Sequence, residues 1–266
     1  HSAAVPDTDP ERRAVEEAGV EIMTYAGALA RAARVRHTVA VAGTHGKTTT
    51  ASMLAWILHS AGKNPGWLIG GDVAQLGHSA QDGDPFVVEA CEYARNFLHL
   101  HPNLAVITNV EEDHLDCYDD LQAVRDAFLQ FGRRVLPGGG MIMSSEVAEW
   151  LSPQLPDVRI EVLDRDGSSI PPLLVPGRHA RLDAHLALRT ARQLGVGRSQ
   201  AWEALAKFRG VGRRFEIVLG GQEGRGVALV DDYAHHPTEI DATMQAAGEA
   251  WPGSRLLFVY QPHQHS

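Results

Sequence analysis

The segment GTHGKTT at residues 43–49 constrains the fold of this chain more than any other feature. It lies between an apolar stretch at 38–42 and a stretch at 47–61 whose apolar residues recur at helical spacing. In a strand–loop–helix unit of this kind, backbone N–H groups at the start of the helix bind phosphate. The lysine can reach the terminal phosphates, and the hydroxyl of the next residue can bind Mg²⁺. The segment therefore predicts a nucleotide-binding phosphate loop.

The match to the usual phosphate-loop pattern is partial, because Val41 stands where that pattern has its first glycine. An ordinary glycine-rich turn between a strand and a helix is the alternative interpretation. The order of strand, loop, lysine, threonine and helix favours nucleotide binding. The residues expected to contact the nucleotide are Gly43, Thr44, His45, Gly46, Lys47, Thr48 and Thr49. We expect Lys47 on a solvated loop, so that Lys47→Ala would abolish ATP hydrolysis and leave the fold intact.

Short apolar runs recur along the chain with room for helices between them. Strands are predicted at 38–42, 86–90, 104–108, 141–143, 159–163, 227–230 and 256–260. Helices are predicted at 47–61, 119–135, 178–194 and 199–208, with a long loop at 164–177. Alternation of strands and helices is typical of an α/β fold with a mainly parallel sheet. A domain boundary is expected at 208–212, where glycines interrupt the pattern.

Composition excludes several classes of partner. The 266 residues include 24 Lys and Arg against 33 Asp and Glu, a formal net charge of −9. This balance argues against a broad basic surface for nucleic acid or anionic lipid. The apolar runs fall well short of the roughly 20 residues that a membrane helix needs. Cys91 and Cys117 are the only cysteines, which is typical of a protein of the reducing cytoplasm. Taken together, these features predict a cytoplasmic protein that binds neither nucleic acid nor membrane.

Polar residues follow two of the predicted strands. Glu89 ends one strand, and Asn109 and His114 follow the next. Because ligands of open α/β sheets bind at the carboxyl ends of the strands, Glu89 and His114 could join Thr48 around a phosphate-bound metal. Hydroxyl and carboxylate oxygens suit Mg²⁺, whereas an imidazole is an unusual ligand for so hard an ion. Considered singly, a surface or capping histidine and a solvated glutamate are the alternatives.

Longer stretches of the chain resemble the Mur ligase family, ATP-dependent amide-bond ligases of peptidoglycan precursor synthesis. In family order these are GTHGKTTT, VVEACE, FLHLHPNLAVITNVEEDHLDCY, GVGRRFE, DDYAHHPTEI and YQPHQHS. Within the family, the stretch from FLHL to DHLDCY is most similar to members that attach L-alanine to UDP-N-acetylmuramate. Residues 50–71 are also similar to members that recycle muropeptides by attaching a whole tripeptide.

The resemblance implies a three-domain enzyme of which this chain holds part. Residues 1–35 would be the tail of an N-terminal UDP-sugar domain and a linker. Residues 36–208 would form the central P-loop ATPase domain, a mainly parallel sheet flanked by helices. Residues 209–266 would begin a Rossmann-like C-terminal domain. The implied cofactors are ATP and Mg²⁺, and the implied substrates are UDP-N-acetylmuramate and L-alanine.

The resemblance also implies a mechanism in which a substrate carboxylate attacks the γ-phosphate of ATP and the amine displaces the resulting acyl phosphate. Lys47 would neutralise phosphate charge. Thr48 and Glu89 would hold one Mg²⁺, His114 a second, and Asn109 would position phosphate or metal-bound water. In the C-terminal part, Arg214 and Asp232 would face the nucleotide, and Tyr233, His235 and His263 would face the substrate.

Other interpretations stay open. Tyr233 could belong to a core, and residues 235–237 could simply form the turn that starts a helix. Ala180 and Asp183 stand where the family usually has asparagines, and Gln264 where it often has an arginine. A non-catalytic nucleotide-binding relative, in which these residues mark lost chemistry, is one competing hypothesis. A simple P-loop NTPase or kinase is the other.

Overall fold

The computed structural model describes residues 1–2, 5–163, 170–220 and 226–262. Its centre is a seven-stranded sheet with strand order β3-β2-β4-β1-β5-β6-β7. All neighbouring strands in it are parallel except β2 and β3, which form an antiparallel edge. The strands are β1 (Thr38–Ala42), β2 (Gly66–Leu68), β3 (Ala80–Gln81), β4 (Phe86–Glu89), β5 (Leu104–Ile107), β6 (Gly140–Ser144) and β7 (Arg159–Leu163). The predicted α/β fold is confirmed.

Helices cover both faces of this sheet. The α-helices of the described residues are α1 (Pro10–Glu17), α2 (Tyr25–Ala33), α3 (Lys47–Ser60), α4 (Leu121–Gly132), α5 (Ser145–Leu151), α6 (Arg178–Gln193), α7 (Arg198–Ala206) and α8 (Pro237–Ala250), of which α1 contributes no residue to the core. One apolar core joins α3, α6 and α7 to the sheet, and another joins α2, α4 and α5 to its opposite face. All five residues of β1 are buried, as expected for a central parallel strand that is covered on both sides.

The register of the sheet brings the candidate site residues to one edge. Val41 of β1 lies beside Glu89 of β4 and beside Val106 of β5. Because the three strands run parallel, the phosphate loop, Glu89 and the residues that follow β5 emerge together. The sequence-based expectation of a shared edge is confirmed for these elements.

The C-terminal part is smaller. Strands β8 (Glu216–Leu219) and β9 (Leu229–Asp231) form a two-stranded antiparallel ladder, and α8 follows. The predicted strand at 256–260 is wrong, because this apolar run pairs with no strand in the described part of the chain and is exposed. The first residues of the predicted loop at 164–177 lie outside the described residues. Among the helices that the structure describes, none has the length and apolar character needed to cross a bilayer.

Candidate active site

The glycines of the phosphate loop are required by close packing. Gly43 has φ = 139°, and a Cβ atom there would lie 1.9 Å from the Thr108 hydroxyl. Gly46, the residue before α3, has φ = 78°, and its Cβ would lie 2.4 Å from Oδ1 of Asp183. Any side chain at either position would therefore collide with a neighbouring element. The strand, the loop and the start of α3 follow one another as the sequence predicts.

Asn109 holds this loop in place. Its Oδ1 accepts a hydrogen bond from the His45 backbone N–H at 2.8 Å, and its Nδ2 donates to the His45 carbonyl at 3.1 Å. Its own carbonyl accepts from the Thr44 N–H at 3.1 Å. Three bonds from one residue after β5 thus fix the backbone that would surround phosphate. Sequence reasoning gave Asn109 a role toward phosphate or metal-bound water, and its contacts here are with the loop itself.

Lys47 is not on a solvated loop, and that expectation is wrong. It is the first residue of α3, and its Nζ donates to the Gly43 carbonyl at 2.6 Å and to the Thr44 carbonyl at 2.9 Å. The same Nζ lies 3.0 Å from Glu92 Oε1. Burial alone would lower the pKa of Lys47, but the negative charge of Glu92, aided by Cys91 and Glu89, raises it above its usual value. The lysine therefore stays a buried cation.

Thr48 and Glu89 meet as the sequence predicts. The Thr48 hydroxyl donates to both carboxylate oxygens of Glu89 at 3.0 Å. The Gly70 backbone N–H donates to Glu89 Oε2 at 2.9 Å, which orients the carboxylate. A hydroxyl and a carboxylate at the first turn of α3 are oxygen ligands of the kind that Mg²⁺ prefers. The residues present fit a magnesium ion.

His114 lies beside the Lys47–Glu92 pair. Its Nε2 is 3.8 Å from Glu92 Oε1 and 3.8 Å from Asp113 Oδ2. His114 has φ = 55°, and its carbonyl accepts from the N–H groups of Cys117 and Tyr118. This turn directs the imidazole toward Glu92, whose Oε2 is buried without a hydrogen-bond partner among the described residues.

Sequence reasoning assigned neither Glu92 nor Asp113 to a metal. Asp113 does cap its neighbour, because it accepts from the His114 N–H at 2.7 Å. The two carboxylates and His114 nevertheless offer ligand atoms within 4.8 Å of one another. The position of Glu92 three residues after Glu89, just beyond the end of β4, was the available signal.

The candidate site residues of the C-terminal part lie across a cavity from the phosphate loop. Asp232 accepts from the Phe215 N–H at 2.9 Å, from the Ala234 N–H at 2.8 Å and from the Thr243 hydroxyl at 3.0 Å. These bonds hold the turn between β9 and α8. The guanidinium of Arg214 lies 5.4 Å from the centre of the Tyr233 ring.

The DYAHHP segment has a structural role as well. His235 Nδ1 lies 3.0 Å from the Tyr233 carbonyl. His236 is the N-cap of α8 and Pro237 occupies its first turn, so the alternative interpretation of residues 235–237 as a helix start is confirmed. Tyr233 is only half-buried, which excludes a core role. His263 lies outside the described residues.

His45 and Glu239 link the phosphate loop to α8. His45 Nδ1 lies 3.0 Å from Glu239 Oε1, and the His235 N–H donates to Glu239 Oε2 at 3.1 Å. Burial would raise the pKa of Glu239, but its hydrogen bonds with His45 and with the His235 N–H lower it to about 2. Glu239 is therefore a carboxylate at neutral pH. Nothing in its sequence neighbourhood marked it as a partner of the phosphate loop.

The cavity between the phosphate loop and the C-terminal residues has a volume of about 250 Å³. Its lining includes His45, Thr48, Asn109, Asp183, Arg214 and Asp232. Burial raises the pKa of Asp183 to about 7, although the Thr50 side chain and the charge of Arg214 oppose this rise. The cavity thus adjoins both the phosphate loop and the C-terminal residues that the sequence analysis assigned to a nucleotide.

Fold and site together define a P-loop enzyme architecture, and comparison with known proteins identifies the family. The Mur ligase middle domain matches residues 41–154, and the glutamate ligase domain of Mur ligases matches residues 213–265. The chain belongs to the Mur ligase family. The resemblance stated from the sequence is confirmed.

Individual relatives are similar over the whole chain. The UDP-N-acetylmuramate–L-alanine ligase of Salinibacter ruber is 37% identical over 294 residues, covering 100% of this chain and 61% of the relative. The crystal structure of UDP-N-acetylmuramate-alanine ligase MurC from Thermotoga maritima is 30% identical with a TM-score of 0.77, covering 94% of this chain and 63% of that chain. This chain thus spans about three fifths of the length of the curated relatives it matches.

A third similar structure carries a different name. The UDP-N-acetylmuramate:L-alanyl-γ-D-glutamyl-meso-diaminopimelate ligase of Neisseria meningitides is 29% identical with a TM-score of 0.67. The alignment covers 77% of this chain and 76% of that chain. Both kinds of ligase considered from the sequence are therefore represented among its structural neighbours.

Proposed function

We propose that the protein containing this chain is an ATP-dependent ligase that joins L-alanine to UDP-N-acetylmuramate in the cytoplasm. The observation that carries the proposal is the convergence of Lys47, Thr48, Glu89 and His114 at the carboxyl edge of one parallel sheet. The names of the Salinibacter and Thermotoga proteins supply the substrate pair.

The residues divide the work by position. The backbone of residues 43–49 would bind the phosphates of ATP, and Asn109 would keep that backbone fixed through its bonds to His45. Lys47 would bring a positive charge to the β- and γ-phosphates. Positioning and charge neutralisation are the main needs of phosphoryl transfer, in which the muramate carboxylate would attack the γ-phosphate.

The same residues would hold the metal. Thr48 and Glu89 would bind one Mg²⁺, and His114 with Glu92 would bind a second. When bound, Mg²⁺ would offset the negative charge that the phosphates and the attacking carboxylate bring together. Arg214 and Asp232 would face the nucleotide, and Tyr233, His235 and His263 would face the amine and the sugar substrate.

Two further functions remain as alternatives with distinct signatures. The similarity to the Neisseria structure favours a muropeptide-recycling ligase as the first. The second is a P-loop protein that is not a ligase. It would be either an NTPase or kinase, or a non-catalytic nucleotide-binding relative in which Ala180, Asp183 and Gln264 mark lost chemistry.

Phosphate release by the gene product that contains this chain distinguishes these functions. With ATP, Mg²⁺ and UDP-N-acetylmuramate, release that requires L-alanine supports the proposal. Release that requires the tripeptide L-alanyl-γ-D-glutamyl-meso-diaminopimelate instead identifies a recycling ligase. Release without any amine identifies an NTPase, and ATP binding without release identifies a non-catalytic relative.

A further inference from the structure

A second cluster of ligand atoms lies at the joint between the phosphate loop and α8. His45, Glu111 and His236 each offer one atom, and these atoms lie within 4.8 Å of one another. Two imidazoles and a carboxylate are not the donor set that Mg²⁺ prefers. They are a three-ligand set typical of zinc sites that keep a fourth position open.

The His45 ring is already oriented as a metal ligand. Its Nδ1 lies 3.0 Å from Glu239 Oε1, so the neutral ring donates from Nδ1 and leaves a lone pair on Nε2. That Nε2 is buried without a hydrogen-bond partner among the described residues, and it lies 3.4 Å from Glu111 Oε2. A carboxylate that holds the far nitrogen of a histidine is the usual support of a metal-bound imidazole.

Glu111 and His236 also have hydrogen-bond partners that orient them. The Thr238 hydroxyl donates to Glu111 Oε2 at 2.7 Å. His236 Nε2 lies 3.2 Å from the Glu112 carbonyl, which leaves the lone pair of the neutral ring on Nδ1. This Nδ1 accepts from the Thr238 N–H at 3.2 Å and lies 3.9 Å from Glu111 Oε2. A bound ion would take that lone pair at the expense of one capping bond.

The spacing fits a tetrahedral ion. Two ligands that are each about 2.0–2.1 Å from zinc at tetrahedral angles lie roughly 3.3–3.4 Å apart. The separation of 3.4 Å between His45 and Glu111 matches this value. The separation of 3.9 Å between His236 Nδ1 and Glu111 Oε2 would have to shorten by about half an ångström.

We propose that His45, Glu111 and His236 form a binding site for a transition-metal ion of the zinc class, separate from the magnesium ligands Thr48 and Glu89. The ion ties the phosphate loop to the start of α8. His45 and Glu111 lie in the sheet-containing part of the chain, and His236 lies in the C-terminal part. Occupancy of the site therefore fixes the two walls of the nucleotide cavity against each other.

Titration with Co²⁺ in the presence of excess Mg²⁺ tests the proposal, because tetrahedral Co²⁺ with nitrogen and oxygen ligands has a characteristic visible spectrum. We expect one tetrahedral Co²⁺ per chain, displaced by Zn²⁺. His45→Gln and His236→Asn remove an imidazole each and lower the affinity by more than about 100-fold, while asparagine still caps α8. Glu239→Gln lowers it by about 10–100-fold.

The matched control is His78→Asn, which replaces an exposed histidine and leaves Co²⁺ affinity unchanged. A second readout is the unfolding temperature, which Zn²⁺ raises in the wild-type chain and not in Glu111→Gln. Wild-type affinity in both His45→Gln and His236→Asn overturns the site. A thiolate-to-cobalt absorption band also overturns it, since that band would assign the metal to Cys91 or Cys117.

Discussion

Nζ of Lys47 and Oε1 of Glu92 lie 3.0 Å apart in an ion pair whose side chains are only 12% and 2% exposed. Two loop carbonyls accept from the same ammonium, so the lysine is folded back against its own loop. A triphosphate bound by this loop would have to compete with Glu92 for Lys47. Glu92 would therefore set the position of the lysine charge before a nucleotide binds.

This pair makes Lys47→Met a test of stability as well as of function. The substitution leaves the Glu92 carboxylate buried without its cation, which costs about 3–5 kcal/mol when one partner of a buried pair is removed. We expect the urea midpoint of unfolding to fall and Mg-ATP affinity to be lost. Adding Glu92→Gln should recover most of the stability and none of the ATP binding.

The control for this pair is Lys207→Met, which replaces an exposed lysine. It should change the free energy of unfolding by less than about 0.5 kcal/mol. If Lys47→Met unfolds at the wild-type urea concentration, Glu92 is not held as a buried carboxylate, and the interpretation of the pair is wrong.

Thr48→Val tests the proposed role of Thr48 as a magnesium ligand. Valine keeps the shape of the side chain and removes the hydroxyl that lies 3.0 Å from both oxygens of Glu89. We expect the apparent affinity for Mg²⁺, measured through its effect on ATP binding, to fall by about 10–100-fold. The loss of one hydrogen bond to a charged partner has an effect of this size. The matched control is Thr190→Val, a buried threonine bonded to the Leu186 carbonyl in α6, which should leave that affinity unchanged.

The features that could be predicted from the sequence are those with a local signal. The phosphate loop has its own residue pattern, and α3 follows it with regular apolar spacing. The meeting of Thr48 with Glu89 was also predictable, because parallel strands end at one edge and β4 lies beside β1. In each case a few neighbouring residues determine the geometry.

The features that were missed depend on residues that are distant in the sequence. Glu239 contacts His45 across 194 positions, and Asp183 contacts Gly46 through the packing of α6 against α3. Only the assembled fold brings such pairs together. The apolar run at 256–260 shows the opposite error, since β propensity predicts a strand only where another strand is available to pair with it.

Asn109 and Asn103 offer a matched comparison at the two ends of β5. Asn103 Oδ1 accepts from the Thr38 N–H at 2.8 Å at the start of β1, whereas Asn109 clamps the His45 backbone beyond its end. Either change to alanine leaves a backbone N–H unpaired, which costs about 1–3 kcal/mol of unfolding free energy. Only Asn109→Ala should also lower ATP affinity, measured with a fluorescent ATP analogue. Equal losses of ATP affinity in both variants would show that Asn109 has no special part in holding the loop.

Asp183 should make stability depend on pH near neutrality. Burial raises its pKa to about 7 in the folded chain, whereas an unfolded aspartate has a pKa of about 3.9. Between these values the folded state holds a proton that the unfolded state has lost, so unfolding free energy falls as the pH rises from about 4 to about 7.

Asp183→Asn removes this titration. We expect the free energy of unfolding of the variant to exceed that of the wild type increasingly as the pH rises. At about pH 8 the difference should be on the order of 2–4 kcal/mol. Urea unfolding measured across the pH range checks this. Asp157→Asn, at an exposed carboxylate, should follow the wild-type curve. A constant stability difference between Asp183→Asn and wild type from about pH 4 to about pH 8 would mean that Asp183 is ionised throughout, and that its carboxylate, rather than a neutral acid, packs against Gly46.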